Sequence, residues 1–203
     1  LAESAFAQRG VVLGTPQFEG NGCNSGTASA VLSPDERLLS VLFDEFSVTA
    51  GGEGPFTATK NCQVIIPMKI APGYRIAVVK VDYRGFQSLP RDTAGRFTAH
   101  HRFRNRTERL GQGPVVIDKL TKADGGDLEG EFELSDAKRV RLSDCSPLIG
   151  LQINASMMAR SNRQRSEATM SLDSLDMGPS PTTGMRYQIK IKPCDPDPNI
   201  DGI

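Results

Sequence analysis

Tryptophan is absent from this chain, histidine occurs only at positions 100 and 101, and no apolar stretch approaches the roughly 20 residues a membrane-spanning helix needs. Each absence removes a class of function. Adjacent histidines on a strand point to opposite faces, so His100 and His101 cannot chelate one metal in the usual way. The four cysteines form no C-x-x-C pair, which removes the common zinc and redox motifs. No Gly-x-Ser-x-Gly element marks a nucleophile elbow. Net charge is also missing: 24 basic side chains balance 24 acidic ones, so no overall field would concentrate nucleic acid or anionic lipid, and any partner must be recognised locally. Apolar spacing of helical period is absent over any comparable length.

What remains is a strand-forming chain. With 203 residues and 38% hydrophobic content it fits one large domain, or one domain with long arms, that buries about 70% of its unfolded surface. The expected division is an N-terminal arm of little regular structure (1–21), a domain (22–194) and an extended tail with alternating Asp and Pro (195–203). Ala5-Phe6-Ala7 before Gln8 has the small-x-small form of a signal-peptidase site and points to export. Isolated cysteines in even number favour disulfides. Of the three connectivities, Cys23 with Cys62 and Cys145 with Cys194 is preferred, because each pair joins the edge of one strand block to the next.

The longest β-branched run, residues 60–86, reads as a hairpin divided at Pro72-Gly73. Its first strand puts Val64, Ile66, Met68 and Ile70 on one face; Pro67 has no N–H to donate, so that strand is expected at an edge or with a bulge. The return strand reads as central, with Ala77, Val79, Val81 and Tyr83 opposite Ile76, Val78, Lys80 and Asp82. Further on, Phe97, Ala99, His101 and Phe103 alternate with a cationic face of Arg96, Arg102 and Arg104. Leu128, Phe132 and Leu134 alternate with Glu129, Glu131 and Glu133, and the two charged faces are expected to meet. Ile149, Leu151, Ile153, Ala155 and Met157 form another face, and Met185, Tyr187, Ile189 and Ile191 give the cleanest period-two pattern. Residues 178–184 read as a long hairpin loop. Eight or more strands without a helix between them predict an all-β, antiparallel, disulfide-stapled β-sandwich of jelly-roll or immunoglobulin-like kind.

The motifs Gly22-Cys23, Ser33-Pro34-Asp35, Val41-Leu42-Phe43-Asp44, Lys60-Asn61-Cys62, Val81-Asp82-Tyr83-Arg84-Gly85, Cys145, Ile153-Asn154 and Cys194 are spread over residues 22–194. In these the chain resembles the family known as domain of unknown function 4360, small exported proteins of fungi and bacteria. The resemblance implies export and disulfides and adds no catalytic residue or cofactor.

Candidate sites are few. Asp82, Tyr83 and Arg84 form a candidate ligand contact, since Arg offers a planar fork to carboxylates or sugars and Tyr a stacking face; the alternative is that Tyr83 is core and its neighbours close the strand end. The basic segment carrying Arg102 and Arg104 is a second candidate, for an acidic partner, an anionic polysaccharide or a subunit contact. Asp124, Asp127, Asp195, Asp197 and Asp201 fit no EF-hand spacing, so no metal site is assigned. Asn105-Arg106-Thr107 and Asn154-Ala155-Ser156 are glycosylation sequons. The expected function is an exported, non-enzymatic structural or interaction component of a cell-envelope, surface or extracellular assembly with protein partners. The alternative is a secreted carbohydrate-binding or glycan-hydrolysing protein.

Overall fold

The computed structural model describes residues 10–24, 26–104, 115–137, 141–172 and 184–194. Among these, all regular structure is strand. The chain runs through β1 (Val11–Leu13), β2 (Gln17–Glu19), β3 (Ala28–Leu32), β4 (Leu38–Phe43) and β5 (Ser47–Ala50), then the long β6 (Thr57–Ile70), β7 (Tyr74–Leu89) and β8 (Ala94–Arg104). It continues with β9 (Val115–Lys122), β10 (Leu128–Asp136), β11 (Arg141–Leu142), β12 (Leu148–Arg160), β13 (Ala168–Ser171) and β14 (Gly184–Pro193).

All pairings are antiparallel, and they form two sheets. In the front sheet β6 lies between β12 and the short β1 and β2, and β12 is followed by β8 and β9. In the back sheet β7 is central: β13 and β14 lie end to end along one side of it, β10 and β11 along the other, with β5 and β4 next to β13 and β14 and then β3. The sheets pack face to face as a sandwich. Period-two alternation sends Val64, Ile66, Met68, Leu151, Ile153 and Met157 from the front, and Leu39, Val41, Phe43, Tyr83 and Tyr187 from the back, into one core. Tilted ring contacts fill it, with centroids 5.2 Å apart for Phe43–Phe46 on the side of the back sheet, and 5.3 Å for Tyr83–Phe97 and 6.3 Å for Phe97–Phe132 across the two sheets.

Two disulfides staple the sandwich in the expected connectivity, Cys23–Cys62 and Cys145–Cys194, with Cα atoms 5.4 and 5.9 Å apart. The first ties the β2–β3 loop to β6. The second ties the approach to β12 to the end of β14. Separations of 39 and 49 residues correspond to about 4 kcal/mol each in the chain-entropy account.

Several expectations give way. Residues 60–86 are no hairpin: β6 and β7 lie in opposite sheets, joined by an arch. Pro72 followed by Gly73 at φ 80°, closed by Tyr74 N–H donating to Ala71 O at 3.2 Å, is the type II arrangement. Such a turn splays strands, whereas tight hairpins use the primed turns. Nor is β6 an edge. Its neighbour is split into β1 and β2, and the linker between them passes Pro67, whose carbonyl accepts from Gly14 N–H at 2.7 Å. The missing donor of Pro67 therefore falls in a gap in the ladder. Residues 11–19, expected to be irregular, are these two strands; three-residue strands leave too little pattern to read.

β7 is central as expected, but its faces are not. Gln188 pairs with Lys80 and Ile189 with Val78, so Val79 is an extra, bulged residue. Ile76 and Val78 consequently share the inward face with Val81 and Tyr83. The charged faces of β8 and β10 do not meet either: the strands face each other through Phe97 and Phe132, and their charges point outward on opposite sides. β13 and β14 do not pair with each other, and most of the expected hairpin loop between them, like residues 1–9, 195–203 and the sequon at Asn105, lies outside the described residues.

Candidate ligand-binding face

Alternation on β8 and β12 sends their even-numbered residues outward. Register sets Arg102 opposite Gln152, His100 opposite Asn154 and Arg104 opposite Gly150, with Ile65, Gln63 and Pro67 of β6 beyond. Arg102 donates through both Nε and Nη2 to Gln152 Oε1, at 3.2 and 3.1 Å. Gln152 Nε2 donates in turn to Asn154 Oδ1 at 3.4 Å. Gln152 is only 6% exposed, so this chain is held against the sheet.

The polarity of the chain follows from chemistry. A guanidinium can only donate, so the amide of Gln152 must turn its oxygen to Arg102 and its nitrogen to Asn154; Asn154 must then present its own NH2 outward. Gln152 Oε1 is filled by two donors and Asn154 Oδ1 takes one, so what the relay offers a ligand is chiefly N–H groups.

On the same face Arg96 pairs with Asp118, Nε to Oδ1 at 2.8 Å with a second contact through Nη2. That hydrogen bond is the main cause holding the Asp118 carboxyl below its usual range. On the outer face of the back sheet, Lys80 Nζ lies 2.8 Å from Asp82 Oδ1 and Arg84 Nη2 lies 3.0 Å from Glu133 Oε2.

A groove of about 710 Å³ opens at the bulge, with Leu38, Val79 and Ile191 beside Asp35, Glu36 and Gln188. Its rim is the turn after β3. Ser33 Oγ accepts from Leu38 N–H at 2.9 Å and donates to Asp35 Oδ1, and this hydroxyl is the main cause of the lowered Asp35 pKa. Glu36 sits at φ 56°, a conformation non-glycine residues rarely adopt. Its Oε2 accepts Val11 N–H at 3.0 Å, which ties β1 of the front sheet to this turn.

The five residues singled out as ligand contacts are thus separated. Tyr83 is core: its hydroxyl lies 3.5 Å from His101 Nδ1, and His101 meets the Tyr187 ring edge-on at 5.6 Å. Burial, the leading cause, pushes both phenols well above their ordinary value. Asp82 and Arg84 face outward from the back sheet and Arg102 and Arg104 from the front. Sequence reasoning missed Gln152 and Asn154, which link to Arg102 only through a pairing of strands 50 residues apart. The groove was missed because it depends on the bulge. Among the described residues no three His, Cys, Asp or Glu side chains gather to hold a metal ion.

Known proteins offer four likenesses. A family model described as "Domain of unknown function (DUF4360)" matches residues 10–194. A relative described as an uncharacterized secreted protein of Arthroderma benhamiae (strain ATCC MYA-4681 / CBS 112371) is 24% identical over 177 residues, covering 84% of this chain and 68% of the relative. Among solved structures, TmCBM61 in complex with β-1,4-galactotriose aligns over 88% of each chain at 8% identity and TM-score 0.25. A family 11 carbohydrate-binding module from Clostridium thermocellum, in complex with a β-1,3-1,4-mixed-linked tetrasaccharide, aligns over 88% of this chain and 87% of its own at 10% identity and TM-score 0.21. At such scores neither structural likeness bears on function. The disulfides and the secreted relative make this an extracytoplasmic chain.

Proposed function

The chain belongs to the DUF4360 family, and from that premise we propose that it is a non-enzymatic interaction component of an extracellular or surface assembly. The observation that carries this reading is the preset outer face of the front sheet, where Arg102, Gln152 and Asn154 hold one another in one orientation on rigid strands. A surface ordered in advance loses less entropy on binding. Native purification with mass measurement tests the proposal. The protein should elute in a complex larger than its own 21.9 kDa; recovery as an isolated monomer would overturn it.

A second reading, binding of a carbohydrate, is favoured by the groove at the bulge. Its volume suits a small ligand, and its aliphatic floor, with carboxylates, an amide and the cations Arg37 and Lys190 around it, suits the C–H face and hydroxyls of a sugar. Saturable binding of a neutral oligosaccharide, weakened by Gln188→Ala, would support it; binding indifferent to that change would not.

A further inference from the structure

We propose that the outer face around Arg102, Gln152 and Asn154 binds the carboxylate groups of an acidic polysaccharide. The assignment rests on the reading of the protein as a non-catalytic binding component and names what that face binds. Three observations carry it.

First, the relay leaves mainly donors. Arg102 retains N–H groups beyond the two given to Gln152, and Asn154 retains its NH2. A ligand that meets them must supply acceptors, and a carboxylate is the acceptor that an arginine fork matches best. Burial of Gln152 makes the orientation a built feature, because a half-satisfied amide there would be costly.

Second, the surroundings extend the site. Arg104 lies two residues along β8, about 7 Å away by strand rise. It stands opposite Gly150, which has no side chain to cover it; a Cβ there would rest in ordinary contact with Arg104 Cβ at 3.8 Å. Thr98, Ser156 and Gln63 continue the same outward face with hydroxyls and an amide suited to sugar hydroxyls. The charge is local in a chain that is formally neutral, so attraction should act at contact range and fall with salt.

Third, the location argues against a peptide strand. β12, which carries Gln152 and Asn154, lies between β6 and β8 along this stretch, so its backbone groups are paired within the sheet. Recognition there must go through side chains, whereas extended peptides bind by adding to an open edge.

The test uses the full chain made in a host that adds no N-glycan, because Asn154-Ala155-Ser156 is a sequon. Binding to polygalacturonate, to a neutral β-glucan and to polyglutamate is measured at low salt. Polygalacturonate should bind, and the neutral polymer should bind at least tenfold more weakly. Arg102→Ala should weaken binding by roughly tenfold or more. Gln152→Leu should do nearly as much while changing no charge, and Arg102→Lys should restore only part. Glu131→Gln, on the opposite outer face, should change nothing. Unfolding midpoints check that the variants fold, and Arg102→Lys carries the comparison if another variant does not. Equal binding of polyglutamate, no binding of polygalacturonate, or unchanged binding by Arg102→Ala would each overturn the ligand assignment. None of these would touch the broader reading, which fails only on isolation of the native protein as a lone monomer.

Discussion

β6 and β7 are consecutive, similar in length and similarly apolar, yet they solve opposite problems. β6 keeps strict alternation from Cys62 to Ile70, accommodates Pro67 through a gap in its neighbour and is pinned by a disulfide. β7 holds the centre of the other sheet only by breaking alternation at Val79 and by using Gly85 where no side chain fits. A regular strand is thus held by its staple and an irregular one by its irregularities. Substitutions should damage them in correspondingly different ways.

The largest effect should come from deleting Val79. Without the bulge, either Ile76 and Val78 or Val81 and Tyr83 turn outward, and a loss of roughly 5 kcal/mol or more is expected, up to failure to fold. A near-normal urea midpoint would show that the phase shift is dispensable. Next, Cys23→Ser combined with Cys62→Ser should cost about 4 kcal/mol, read by denaturant unfolding, with no change in the proposed binding face.

Gly85→Ala should cost about 2–3 kcal/mol. Its Cβ would stand 2.1 Å from Ser171 O and 2.7 Å from the Phe132 ring, so the backbone of β13 must move. Gly150→Ala on β12, where an added Cβ makes only ordinary contact with Arg104 at 3.8 Å, is the matched control and should change stability little.

Alkaline pH acts on the core between the two strands. Burial raises the phenol pKa of Tyr83 and Tyr187 in the folded protein above that of the unfolded chain, about 10. Their contribution is therefore complete below about pH 10 and is lost as pH rises beyond it, because the unfolded chain releases those protons first. Unfolding across this range should show falling stability in the wild type and a shallower fall in Tyr187→Phe. The smallest effect is Pro67→Ala on β6, expected within about 1 kcal/mol because the restored N–H faces the gap between β1 and β2.

Much of this was legible beforehand. The outward and inward faces of β8, β10, β12 and β14 follow from alternation alone, and the disulfide connectivity followed from where the cysteines stand relative to the strand blocks. The sequence order Pro72-Gly73 also carried the information that the turn is not a hairpin turn, although the apolar run around it suggests one. Val79 carried no such signal, since a valine at a bulge looks like any other valine in a β-branched run. The same holds for Gln152, an ordinary polar residue in the alternation of β12 until β8 is placed beside it.

The chain by itself determined its longer strands, the faces of the regular ones, its two staples and its family. These are local or compositional properties, set by a side-chain period of two and by residues that stand alone. Only the tertiary structure decided which sheet each strand joins, where β7 changes phase, and that Arg102, Gln152 and Asn154 form one oriented chain. Those depend on backbone pairing between strands far apart in sequence, where each N–H and C=O must find a partner and many registers satisfy the local pattern equally well.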